Sequence, residues 1–339
     1  MAEFFVEYGM FLAKTLTLII GVVLALAGIL VLAGRGREAV REHLEIKKIN
    51  EKYEHMAELI KDSVLTKEQL KKEHKEEKKT KKALAKQEKA GDITPRKRIF
   101  VLNFDGDIKA SPLSSLREEI TAILTVATPE DEVFVRLYSG GGLVHAYGLA
   151  SSQLMRIKDK NIPLTISVDK VAASGGYMMA CVADKVIAAP FAIIGSIGVI
   201  AQIPNFNRLL KKHNIDFEQM TAGEFKRTLT MFGENTDKAR EKFKEELEDT
   251  HILFKEFIQE HRPDIDLSRV ATGEHWPASR AMELKLVDEL KTSDDYLLDS
   301  SKEKDLYEIC YKFKKPLGAR MGSFIQSTIE RMIHSPTLP

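Results

Sequence analysis

The balance of apolar and polar positions changes twice along the chain. Thr15–Gly34 reads TLTLIIGVVLALAGILVLAG, twenty residues without a charge. At about 1.5 Å per residue such a run spans roughly the 30 Å hydrocarbon core of a bilayer. It predicts a membrane helix within an anchor segment 1–34. A cleavable leader is the alternative, because Ala25-Leu26-Ala27 resembles a small-residue cleavage site. Against it, the apolar run continues to Gly34, and Glu3 and Glu7 stand where a leader is basic. From 35 to 97 only Leu44, Ile46, Ile49 and Tyr53 keep a partial helical stripe, amid 19 Lys/Arg and 13 Asp/Glu. This reads as a charged neck, helical or disordered, closed by the breaker Gly91-Asp92-Ile93-Thr94-Pro95.

Beyond Arg98 short apolar runs alternate with helical periods. Arg98–Phe104, Glu132–Tyr138, Pro163–Asp169 and Lys185–Ala189 predict strands. Ser111–Val126, Leu143–Lys158, Ser174–Ala183 and Ala239–Arg262 predict helices. Strands so spaced need crossover connections, which makes 98–300 an α/β domain with parallel pairing. A tail, 301–339, follows and is helical in part, over Lys312–Ile333. The second uncharged run, between Lys185 and Arg208, holds Pro190, Gly195, Gly198 and Pro204, and suits buried strands better than a second membrane span.

Composition refines this picture. The 339 residues, 44% hydrophobic, supply the core of one enzyme-sized domain plus an extension. A net charge of +1 exerts no global pull on nucleic acid, and the interleaved acids of the neck argue against such a role for its lysines. Cys181 and Cys310 form no CxxC pair and no metal-ligand spacing, so neither metal nor cofactor is expected. Cys181, inside an apolar run, reads as a small buried hydrophobe.

Two turns could carry chemistry. Ser139-Gly140-Gly141-Gly142 ends a strand before a helix, where glycines let backbone approach a ligand. It is not a dinucleotide fingerprint, because His145 occupies the place of the third glycine. Ala172-Ala173-Ser174-Gly175-Gly176 surrounds one serine with small residues at a strand-to-helix junction. A serine there can be a nucleophile beside exposed N–H groups or a plain helix cap. The G-x-S-x-G elbow is absent, since Ala172 replaces its first glycine. The base could be His145 with Asp169, or Lys226. A lysine serves only when burial keeps it uncharged, and Met220, Phe225, Leu229 and Met231 could supply apolar neighbours.

The set Ser139-Gly-Gly-Gly, Ala173-Ser174-Gly175-Gly176-Tyr177, Gly195-Ser196-Ile197-Gly198-Val199 and Gly223-x-x-Lys226 resembles the signal peptide peptidase A family, peptidase family S49. Ala271–Gly273 and Ala281–Glu289 resemble the family's tail, and the anchor and neck resemble its SohB branch. The resemblance implies a crotonase/ClpP-like spiral of ββα units. It implies Ser174 as nucleophile, Lys226 as general base and Ser196 as the hydroxyl orienting the lysine. Gly141 and Gly175 would donate their N–H groups to the oxyanion, each worth about 3 kcal/mol. Relatives often carry proline where this chain has Gly140, and Gly142 is the alternative donor to Gly141.

The expected activity is thus endopeptidase cleavage of extended apolar peptides, such as signal-peptide remnants or membrane-protein fragments, by a homo-oligomer in the bacterial inner membrane. The rival readings are an inactive tethered scaffold of the same fold and an acyl-CoA enzyme, which would need paired carboxylates. Arg35, Arg37, Arg41, Lys47 and Lys48 after the anchor place the body in the cytoplasm, whereas the resemblance implies the opposite side.

Overall fold

The computed structural model describes residues 2–35, 43–73, 75–76, 79 and 96–313, without the side chains of 2–5 and 23–35. The chain divides into two units, one holding residues 1–44 and 311–339, the other residues 45–310.

In the first unit, helix α1 runs Ala2–Arg35, so the uncharged Thr15–Gly34 run lies wholly within a helix. Among the described residues no helix is long and apolar enough to cross a membrane. The breaker at 91–95 and nearly all of the tail helix expected over Lys312–Ile333 lie outside the described residues.

The second unit carries the sheet. In chain order come β1 (His43–Lys48), α2 (Ile49–Val64), β2 (Arg98–Gly106), α3 (Leu113–Leu124) and β3 (Glu132–Ser139). Then follow α4 (Val144–Lys158), β4 (Leu164–Val168), β5 (Val171–Ala173), α5 (Gly175–Ala180), β6 (Lys185–Ala188) and β7 (Ile193–Gly195). The chain closes with α6 (Asn207–Lys212), α7 (Asp237–His261), α8 (Leu267–Val270), β8 (His275–Pro277), α9 (Ala278–Glu283), β9 (Glu289–Leu290), α10 (Ser293–Ser300) and β10 (Asp305–Lys312).

The main strand order is β1-β10-β2-β3-β4-β6-β9. From β10 to β9 the pairings are parallel. Such a sheet is covered on both faces, which is why its strands are apolar throughout instead of alternating. In β2, Phe100, Leu102 and Phe104 face a core built with α3, α4 and α5. Ile99 and Val101 face the other side, under Ile49 and Tyr53 of α2 and Tyr296 and Leu297 of α10.

The start of the charged neck is therefore docked on the domain. Asn50, buried, donates to the carbonyls of Ser301 and Lys304 and accepts from Leu306 N–H. The strands and helices expected from 98 to 189 are found within two residues at each end, except that the helix expected over Ser174–Ala183 stops at Ala180, and the short strand Val171–Ala173 is not among those expected. The Lys185–Arg208 run gives two short strands, β6 and β7, as expected of it.

The sheet forks at β3. Its first half, through Arg136, pairs with β4, while Ser139 at its end pairs with Ala172 of β5. β5 in turn pairs in parallel with β7, and β7 antiparallel with β8. The fork brings the ends of β3, β5 and β7 side by side.

Candidate active site

Three loops leave the carboxyl ends of those neighbouring strands, the usual place for a ligand site on parallel sheets. Ser174 follows β5 and Ser196 follows β7 in register, Ala173 lying opposite Gly195. Ser174 N–H donates to Gly195 C=O at 2.8 Å, which ties the two turns together. Both serines stand in the left-handed region, with φ of 52° and 51°. Non-glycine residues adopt such φ at a cost of about 1–2 kcal/mol, and such strain concentrates at functional sites. Ser174 precedes α5 without capping it through its side chain, so the plain helix-cap reading does not hold.

The glycine loop after β3 closes on this serine. Gly141 has φ of 85°, and a Cβ placed on it would lie 2.6 Å from Gly175 N and 2.8 Å from Ser174 Cβ. Gly142 presses equally hard on the Ile108 carbonyl, where a Cβ would stand 2.1 Å away. Leu143 N–H donates to the same carbonyl. Only hydrogen side chains permit this contact between the two motifs.

Behind the loop lie two buried hydroxyls. Ser139 Oγ accepts from Gly141 N–H at 3.0 Å and contacts Tyr147 Oη at 2.5 Å. Tyr147 Oη donates to the Asp107 carbonyl at 2.7 Å. Burial raises the Tyr147 phenol above its ordinary range, so it stays protonated and keeps donating. The ring of Tyr147 backs Gly175, where a Cβ would meet it at 2.5 Å. Sequence reasoning named Ser139 only as the head of a glycine run and did not single out Tyr147, whose place on α4 follows no recognisable spacing.

Lys226 belongs to a different segment of the chain. It sits in the 199–236 excursion, exposed, and no hydrogen bond joins it to either serine among the described residues. The apolar shield expected from its neighbours is not assembled by the single chain: Met220 is 90% exposed, Phe225 42% and Met231 42%. Phe225 is held from one side by Lys238 and Lys242 of α7, over its ring. The excursion has its own internal order, with Asn205 and Asn207 bonded to backbone carbonyls of 230–233. Asp169, the orienting carboxylate of the alternative triad, accepts from Ser293 N–H and Oγ at the start of α10. Cys181 is buried and free, and no cluster of metal-ligating side chains exists among the described residues.

The family models Peptidase family S49 N-terminal and Peptidase family S49 match residues 3–154 and 156–307. The chain belongs to peptidase family S49 and is a protease. Among its relatives, probable protease SohB of Haemophilus influenzae is 49% identical over 334 residues, covering 96% of this chain and 94% of that one. Probable protease SohB of Buchnera aphidicola from Schlechtendalia chinensis is 48% identical over 307 residues, covering 87% of this chain and 99% of its own. A solved membrane-bound stomatin-specific protease, 1510-N, covers 61% of this chain and 86% of that chain at 15% identity with a TM-score of 0.39.

Proposed function

We propose that the chain is a serine endopeptidase with Ser174 as nucleophile, Lys226 as general base and Ser196 orienting the lysine amine. The observation that carries this reading is the Ser174 backbone, held at φ of 52° at a strand end, against Gly141 and tied to the Ser196 turn. The forked sheet is read as one turn of a spiral of ββα units. A lysine acts as base only when shielded from water, and a single chain leaves Lys226 exposed. The 199–236 excursion also exposes Ile200, Phe206, Ile215, Phe217 and Met220, an apolar surface that a second copy would cover. On this reading the homo-oligomer completes the site, and Lys226 of one copy serves Ser174 of the next.

The reaction then runs as acyl transfer. Lys226 takes the Ser174 proton, the alkoxide attacks a peptide carbonyl, and the lysine returns the proton to the leaving amine. Water hydrolyses the acyl-enzyme. Gly175 N–H and the glycine loop stabilise the oxyanion. Exposed Ile108, Leu143 and Val144 beside that loop favour an extended apolar substrate laid along it. The Thr15–Gly34 run would hold the enzyme in the bacterial inner membrane.

Ser174→Ala and Lys226→Ala should each abolish cleavage of a quenched-fluorescence apolar peptide. Co-expressed, the two variants should regain part of it, because mixed oligomers contain intact serine–lysine pairs. Turnover by either variant alone would overturn the dyad. Dead mixtures would place both residues in one chain.

A further inference from the structure

The hydrogens of the buried chain behind the glycine loop have one arrangement. The Asp107 carbonyl can only accept, so the Tyr147 hydrogen belongs to it. The hydrogen between Ser139 and Tyr147 must then come from Ser139. Ser139 Oγ in turn accepts the Gly141 N–H. The chain of donors runs Gly141 N–H to Ser139 to Tyr147 to Asp107. Its far end is itself anchored: the Asp107 carboxylate accepts from Lys109 N–H, Ser111 N–H and Ser111 Oγ. Its near end touches the nucleophile through Gly141, while the Tyr147 ring backs Gly175.

This arrangement commits the Gly141 N–H to the protein interior, away from the substrate side. We propose that Ser139 and Tyr147 are positioning residues of the hydrolytic reaction: they hold Gly141 N–H inward so that Gly142 N–H, with Gly175 N–H, faces the oxyanion. The inference rests on Ser174 being the nucleophile. It assigns Ser139 and Tyr147 a role in the transition state and none in substrate binding, and it moves the loop's donor from Gly141 to Gly142.

The test compares Tyr147→Phe, Ser139→Ala, their double variant, Ser174→Ala and Ser151→Ala with the full-length enzyme, reading kcat, KM and Tm on one peptide substrate. Ser151 is a fully buried hydroxyl on the same helix, bonded to the Tyr147 carbonyl and outside the chain of donors. Tyr147→Phe and Ser139→Ala should each lower kcat about 10- to 100-fold, a part of what losing one oxyanion donor costs, with KM within about twofold. The double variant should be no worse than the poorer single one, since the two hydroxyls act as a unit. Ser151→Ala should lower Tm without lowering kcat, which separates loss of a buried bond from loss of aim.

A rise in kcat on Ser139→Ala would mean that Ser139 competes for a Gly141 donor, and would overturn the proposal. So would unchanged kcat in both single variants, or a loss in them matched by Ser151→Ala. Activity in Ser174→Ala would refute the nucleophile assignment instead, whatever the other variants do.

Discussion

Gly141→Ala concentrates the structural claims about the site in one methyl group. Alanine at φ of 85° carries a left-handed penalty of about 1 kcal/mol. Its Cβ would stand 2.6 Å from Gly175 N, 2.8 Å from Ser174 Cβ and 2.9 Å from the Ala173 carbonyl. Ordinary contact needs about 3.4 Å or more, so something must move by roughly 0.5–0.8 Å. Two of the three neighbours are backbone atoms and cannot swing aside, which puts the overpacking cost at about 1–3 kcal/mol. The sum, about 2–4 kcal/mol, lowers Tm by roughly 5–15 °C for a domain of this size. A displacement of that order beside a nucleophile costs about 100-fold in turnover. Cleavage of a quenched-fluorescence peptide and a thermal melt read the two effects separately. Gly140→Ala is the control, one residue away with nothing within 4 Å of its added methyl, and should stay close to wild type. Gly141→Ala matching Gly140→Ala in both Tm and kcat would refute the close packing of the loop against Ser174.

Two further outcomes test the frame around the site. Asp131, 4% exposed, accepts both arms of the Arg98 guanidinium and the N–H and hydroxyl of Thr128. Burial pushes this carboxyl up, but the Arg98 and Thr128 bonds outweigh it and hold it below its ordinary value. A depressed native pKa contributes stability above the unfolded value near 3.9, and that stability is lost as pH falls through the native value. Asp131→Asn should therefore cost about 2 kcal/mol at pH 7, with half-exposed Arg98 keeping the loss small, and the gap to wild type should close below pH 4 in denaturant titrations. A gap constant down to pH 2 would refute it. Burial likewise pushes the Cys181 thiol up to about 12, so the native protein at pH 8 should leave it unmodified by a thiol reagent, read by peptide mass, until denaturant is added. Labelling of Cys181 at the rate of a free thiol would contradict its burial.

Much of the domain was legible because parallel strands covered on both faces leave unbroken apolar runs, and Arg98–Phe104 and Glu132–Tyr138 are such runs. The fork was not legible. β5, β7 and β8 have three residues each, too few to show a period, yet they align Ser174 with Ser196. Asn50 sits in a charged segment whose composition marks a tether, and its partners lie about 250 residues on. The small residues around Ser174 marked a tight turn, but they left nucleophile and helix cap open, and only the family resemblance chose between them. The surroundings of Lys226 were not legible, because Met220, Phe225 and Met231 neighbour it in sequence without burying it. Composition names the residues that could shield a side chain; only packing decides whether they do.

The place of β10 bears on how the enzyme is made. β2 leaves the ribosome early, second among the strands of the sheet after β1, and one of its two flanking partners, Asp305–Lys312, is the last. Until about two hundred more residues have been synthesised, that flank of β2 offers unsatisfied backbone groups to any extended segment nearby. Completion of the protease fold thus waits on the synthesis of β10, and a truncated chain lacking β10 would present a sticky border in place of a finished domain.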